Sequence, residues 1–163
     1  MNSNKFKIIS NTTPIIALSS IDKLNLLNDL YGEIVIPETV KREIEAGGRV
    51  QVPDLEVIEW IKVVDDIKDI KEKLLLGLDD GEKQTILVAL AVGPNSIALI
   101  DERKGRKVAT TLGLKIKGTL GILADAKREG LIDSFKKFAY KLIENNLYYS
   151  LKLIETISGE VDQ

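Results

Sequence analysis

The stretch FKIISNTTPIIAL, residues 6–18, joins two apolar runs across a polar corner. The first run is short, continuously apolar and rich in β-branched residues, which favours a strand buried on both faces of a parallel sheet. The second run begins after Asn11-Thr12-Thr13-Pro14 on a different period. Thr13 fits the N-cap of a helix and Pro14 its first helical position. A strand that leads directly into a helix favours an α/β fold.

The rest of the chain repeats this alternation. Strands are predicted at residues 5–10, 32–37, 96–101 and 114–118. The run at 57–64 is ambiguous, with an edge strand as one interpretation. Helices are predicted at 14–20, 22–30, 38–46, about 66–76, 81–92, 102–112, 119–129, over the stripe from Phe135 to Ile143, and at about 153–157. The pattern predicts a three-layer fold, with a parallel sheet covered by helices on both faces.

Length and composition limit the kind of protein this can be. A chain of 163 residues most simply forms one domain, here with an inserted segment at about 50–76 and C-terminal helices from about 133. No window approaches the ~20 apolar residues of a bilayer span. The first ten residues contain too short an apolar run for a signal peptide. We therefore expect a cytoplasmic protein that does not enter a membrane.

The sequence contains neither cysteine nor histidine. This excludes disulfides, zinc sites of the Cys/His kind, thiol nucleophiles and imidazole bases. Carboxylates, amides, hydroxyls, lysine or arginine must therefore supply any chemistry. The net charge of −2 argues against a broadly basic nucleic-acid coat but leaves a local basic stripe open.

Four polar residues follow or border the predicted strands, where sites form in α/β sheets. Asn11 and Asp101 lie at strand ends, Glu43 borders the buried face of a helix, and Glu82 opens another helix. Each has a purely structural alternative. Asn11 could form an Asx turn, and Asp101 could cap its own helix. Glu43 could be a solvated charge, and Glu82 could simply complement a helix dipole.

Taken together, these residues predict a metal site beside a basic run. Clustered carboxylates repel one another unless a cation lies among them, and hard oxygen ligands select Mg²⁺ or Mn²⁺. Such ions hydrolyse phosphodiesters by activating a water. Arg103, Arg106 and Lys107 follow Asp101 and could bind phosphates, although an exposed helix face explains them equally well.

Five blocks of the sequence resemble a known family. They are IISNTTPIIAL, IPETVKREIEAG, LDDGEKQTILVAL, LIDERKGRKVA and IKGTLGILADAKREGLI. Their order and spacing are similar to those of PIN-domain-like proteins of the DUF3368 branch, over about residues 6–133. The resemblance implies a Rossmann-like α/β/α sandwich with a short, mainly parallel sheet. It also implies metal-dependent ribonuclease activity, which many relatives have, among them toxins of toxin–antitoxin pairs.

The resemblance also implies roles for individual residues. The family's four acidic positions fall on Asn11, Glu43, Asp101 and near Thr119, and Glu82 matches an extra glutamate of this branch. Thr13 matches the hydroxyl that supports the first position. The implied metal ligands are Glu43, Glu82 and Asp101. Two departures stand out, because Asn11 is neutral and Thr119 replaces an acid. Glu82, with Asp80, could compensate for the lost charge.

Two functions follow from this sequence. The first is an Mg²⁺- or Mn²⁺-dependent nuclease acting on RNA or another single-stranded nucleic acid, with catalytic residues Asn11, Glu43, Glu82, Asp101 and Thr119. The second is a catalytically weakened PIN-like module that binds nucleic acid or a protein, such as an antitoxin-like inhibitor. A homodimer is compatible with either function, since the C-terminal helices carry apolar positions.

Overall fold

The computed structural model describes residues 6–69 and 72–163. Its strands are β1 (Lys7–Ser10), β2 (Ile34–Pro37), β3 (Ile61–Val64), β4 (Ser96–Leu99) and β5 (Lys115–Lys117). They form one parallel sheet in the order β3-β2-β1-β4-β5. The chain builds outward from β1 to β3, then returns to add β4 on the other side of β1. The order of the strands reverses there, and in open α/β sheets the crevice at such a point binds ligands.

Helices cover both faces of the sheet. They are α1 (Thr12–Ser20), α2 (Leu26–Tyr31), α3 (Glu38–Glu45), α4 (Asp80–Val92), α5 (Arg103–Thr111), α6 (Thr119–Arg128), α7 (Phe135–Glu144) and α8 (Leu151–Val161). Successive residues of a strand point to opposite faces, so Ile8 and Ile9 enter different cores. Ile8 packs in the core that also contains residues of α1, α6 and α7, whereas Ile9 packs with residues of α4 and α5. The predicted three-layer α/β/α architecture is confirmed.

The corner after β1 differs in detail from the prediction. Helix α1 begins at Thr12, and Asn11, not Thr13, occupies the N-cap position. The Asn11 side chain makes no capping hydrogen bond. Pro14 is the third helical residue, where its missing N–H costs little because first-turn amides have no intrahelical acceptor. The prediction of Thr13 as N-cap is therefore wrong.

The predicted helix at about 66–76 is also wrong in the part that the structure describes. Residues 65–69 form no regular element and Lys73–Gly77 form a short 3₁₀ helix, while residues 70 and 71 lie outside the described residues. Leu75 and Leu78 are buried here, and their spacing of three matches the 3₁₀ repeat. Their neighbours are exposed, so the segment lacks the wider apolar stripe that holds an α-helix against a core.

Three boundaries also change. Helix α2 begins at Leu26 instead of Asp22, because Asp22 adopts a left-handed φ of 55° that a helix cannot contain. The ambiguous run at 57–64 contributes the edge strand β3, and α8 extends well beyond the predicted short helix. No helix within residues 6–69 and 72–163 is long and apolar enough to cross a membrane. The predicted insertion at about 50–76 stays a prediction.

Candidate functional site

Asn11 lies where the strand order reverses. It follows β1, and its backbone N–H donates to the carbonyl of Leu99, the last residue of β4, at 3.0 Å. This bond joins the ends of the two strands. Asn11 is only 3% exposed, and its Oδ1 accepts no hydrogen bond from any residue that the structure describes. A buried acceptor without a donor costs roughly 1–3 kcal/mol, so this oxygen is available to a ligand.

Glu43 reaches the same region from α3. Its Oε2 accepts a hydrogen bond of 2.5 Å from the Thr12 hydroxyl, which fixes the carboxylate beside the corner. The carboxylate also lies against the first turn of α4. A Cβ added at Gly81 would lie 2.5 Å from one carboxylate oxygen and 2.8 Å from the other. Only glycine leaves this space, and the positive end of the helix dipole favours the negative charge there.

Glu82 is a buried carboxylate in the first turn of α4. It is 5% exposed, and no described residue forms an ion pair or side-chain hydrogen bond with its carboxyl group. Burial and then the charges of Asp79, Glu102 and Glu43 raise the pKa of Glu82, and a backbone hydrogen bond from Asp79 offsets only part of this rise. Asp79, not Glu82, caps α4, because its side chain accepts the Glu82 N–H at 2.8 Å. An acid held among other acids in this way attracts a cation.

Asp101, two residues beyond β4, is already hydrogen-bonded by protein groups. Its Oδ1 accepts the Thr119 N–H at 2.7 Å. Its Oδ2 accepts the Thr119 hydroxyl at 2.6 Å and the Tyr149 hydroxyl at 2.8 Å. Burial and then the Asp101 charge raise the pKa of Tyr149, so this phenol stays a donor. Asp101 does not cap its own helix, since Glu102 occupies that N-cap. It holds the first turn of α6 instead.

The predicted phosphate-binding residues occupy different positions on α5. Arg106 is half-buried, and its Nη1 donates to the Ile100 carbonyl at 2.9 Å. A Cβ added at Gly118 would lie 2.8 Å from this nitrogen and 2.9 Å from Asp101 Oδ1. The Arg106 and Asp101 side chains therefore both lie next to Gly118. Arg103 and Lys107 are exposed. The structure therefore places Arg106 at the strand ends beside Asp101.

The described residues contain no group of three carboxylates close enough to hold a metal ion. Glu43, Glu82 and Asp101 thus do not form a ready-made cluster. Two groups nevertheless fit a divalent cation: the buried Asn11 Oδ1 accepts no hydrogen bond, and the buried Glu82 carboxyl group has no cationic partner among the described residues. Oxygen donors of this kind suit Mg²⁺ or Mn²⁺.

Three residues of the site escaped sequence reasoning. The hydroxyl that bonds Glu43 belongs to Thr12, whereas the only hydroxyl predicted at this corner was that of Thr13, as a support for Asn11. Gly81 makes room for Glu43, and Tyr149 bonds Asp101. Thr12 and Gly81 adjoin residues that were singled out, so the turn and the helix start contained a signal. Tyr149 lies 48 residues from Asp101, and no local pattern connects them.

Comparison with known proteins adds one match. The model of the family DUF3368, described as a PIN domain, matches residues 7–163. The match extends past the five blocks of similar sequence to the C-terminal helices. Neither the curated proteins nor the solved structures contain a match to this chain.

Proposed function

Because the chain belongs to the DUF3368 family of PIN domains, we propose that it is a divalent-metal-dependent nuclease that hydrolyses phosphodiester bonds in RNA. One observation carries the proposal. Glu82 is a buried acid surrounded by other acids, it has no cationic partner among the described residues, and it opens a helix beside Glu43. A protein retains such a costly charge where a cation or substrate offsets it.

In this proposal Asn11, Glu43 and Glu82 hold Mg²⁺ or Mn²⁺, which when bound activates a water and neutralises charge on the phosphate. Thr12 orients the Glu43 carboxylate through its hydrogen bond. Arg106 binds a phosphate oxygen of the substrate, since a guanidinium matches phosphate geometry. Asp101 and Thr119 form the opposite border of the site and orient each other through two hydrogen bonds.

The second candidate is a PIN-like module that binds RNA or a protein partner without efficient catalysis. Two observations favour it. Asn11 is neutral at the first ligand position, and Asp101 already accepts three protein hydrogen bonds. A site with fewer free carboxylates binds Mg²⁺ or Mn²⁺ more weakly. An antitoxin-like inhibitor or a second copy of the chain would be the protein partner in this case.

Cleavage of a labelled single-stranded RNA with Mn²⁺ separates the two candidates. We expect cleavage by the wild type, loss of cleavage in EDTA, and at least a tenfold loss in Glu82→Gln. Glu33→Gln is the matched control, because Glu33 is exposed and directly precedes β2. It therefore lies at the amino-terminal end of a strand, whereas the candidate site lies at the carboxyl ends. Asp101→Asn is less suitable, since it disturbs the hydrogen bonds that hold α6. A folded wild type that binds RNA without cleaving it would establish the second candidate.

A further inference from the structure

A cavity of about 380 Å³ opens beside Asp101. Its walls come from the end of β4, from α5 and α6, and from the C-terminal segment. The residues that matter here are Asp101, Arg106, Leu120, Tyr149, Leu153 and Ile157. We propose that this cavity binds an unpaired nucleobase of the RNA strand whose phosphate contacts Arg106. The inference rests on the proposed function, and it assigns the position of a nucleotide next to the cleavage site.

The apolar wall suits the flat face of a base. Leu153 and Ile157 are four residues apart on α8 and therefore share one side of that helix. Leu120 of α6 and the half-buried Tyr149 also line the cavity. Leu153 is 47% exposed although it lines a cavity, so the chain itself does not cover it. Proteins bind unpaired bases by apolar and aromatic contacts of this kind, and the volume is within the ~300–1,000 Å³ of small-ligand sites.

The polar border suits a nucleotide better than an apolar peptide. Arg106 forms no ion pair with the residues that the structure describes, whereas Lys117, the other cation on this border, pairs with Asp125. The Arg106 charge therefore remains for a phosphate. Asp101 accepts three hydrogen bonds, and a carboxylate offers about four acceptor sites. One site remains for an N–H group of the base, such as the exocyclic amine of adenine.

Mononucleotide binding in metal-free buffer tests this site without cleavage. The probes are adenosine 5′-monophosphate and ribose 5-phosphate, which share the sugar and phosphate and differ in the base. The amide resonances of Gly118 and Gly121 report binding, because both residues line the cavity. We expect the adenosine nucleotide to bind at least about tenfold more tightly. Equal affinity of the two probes would overturn the base site.

Two equivalent substitutions on α8 locate the site. Leu153→Asp places a charge on the apolar wall, whereas Leu151→Asp makes the same change on a residue that is 54% exposed and does not line the cavity. We expect Leu153→Asp to lose at least about tenfold in affinity for the adenosine nucleotide and Leu151→Asp to stay within about twofold of the wild type. Equal losses in both variants, or in neither, would refute the assignment.

The same experiments separate this inference from the nuclease proposal. If the adenosine nucleotide binds as expected but no RNA is cleaved, the base site stands and the nuclease proposal fails. If RNA is cleaved but both probes bind alike, the nuclease proposal stands and the base site fails.

Discussion

Replacing Glu82 by glutamine should make the metal-free protein more stable. Glutamine keeps the shape of the side chain and removes a charge that burial and neighbouring acids penalise. Single stabilising substitutions commonly yield about 0.5–2 kcal/mol. For a chain of 163 residues, each kcal/mol shifts the melting temperature by about 2–4 °C. We expect a free energy of unfolding about 1 kcal/mol higher in EDTA at pH 7.5.

The stability that Glu82→Gln gains over the wild type should increase with pH. The folded state raises the pKa of Glu82 above its ordinary value of 4.5. Well below pH 4.5 the Glu82 carboxyl group is protonated in both folded and unfolded chains, so it carries no charge that lowers the stability of the fold. As the pH rises, the unfolded chain ionises first and the wild type loses stability until the raised pKa is passed. The stability advantage of Glu82→Gln should therefore be small at pH 4 and larger at pH 7.5.

Divalent metal should reverse the order of stability. A ligand at 100 times its dissociation constant stabilises the folded state by about 2.7 kcal/mol, which exceeds the expected gain from Glu82→Gln. Thermal unfolding in EDTA and in Mn²⁺, with Glu33→Gln as control, measures both effects. If Glu82→Gln is no more stable than the wild type in EDTA, the Glu82 charge does not destabilise the metal-free fold. If Mn²⁺ stabilises both proteins equally, Glu82 is not a metal ligand.

Three further substitutions test the rest of the site. Asn11→Asp adds a carboxylate beside the Glu43–Glu82 pair and should tighten Mn²⁺ binding at least about tenfold by calorimetry; unchanged affinity would place Asn11 outside the metal site. Asp101→Asn replaces a hydrogen-bond acceptor with a donor and should cost about 1–3 kcal/mol in urea unfolding, whereas full stability would show that these bonds contribute little. Gly81→Ala would place a Cβ 2.5 Å from the Glu43 carboxylate, so we expect at least a tenfold loss of Mn²⁺-dependent cleavage with the fold retained, and normal activity would exclude Glu43 from catalysis.

The architecture was predictable because its signals are local. Buried strands of a parallel sheet are continuous apolar runs, and each is followed here by a helical pattern. The helix predicted at about 66–76 was wrong because it rested on a local pattern alone, as the correct predictions also did. Of its three leucines, which the structure describes, Leu75 is buried while Leu74 and Leu76 are exposed, and burial depends on what the rest of the chain leaves uncovered.

The placement of Asn11 and Asp101 after neighbouring strands was predictable, but the hydrogen-bond partners of the candidate residues were not. Asn11 and Asp101 meet at one edge because parallel strands deliver their ends there. Glu43 and Glu82 were singled out from their places on predicted helices, and the structure brings the two into electrostatic contact. The bond from the Thr12 hydroxyl to Glu43 joins residues 31 positions apart and depends on how α1 packs against α3. The bond from Tyr149 depends on how the C-terminal segment packs, which no spacing in the sequence reveals.

The position of β1 in the sheet has a consequence for how the molecule acquires its activity. β2 can pair with β1 after a short crossover, but β4 becomes available only after β3 and α4 have been added. Until then one edge of β1 has unpaired backbone groups, and closing so long a loop is a slow step in folding. The Asn11–Leu99 bond that joins the two strand ends forms in that same step. A partly folded chain therefore has no crevice, and the site appears together with the complete sheet.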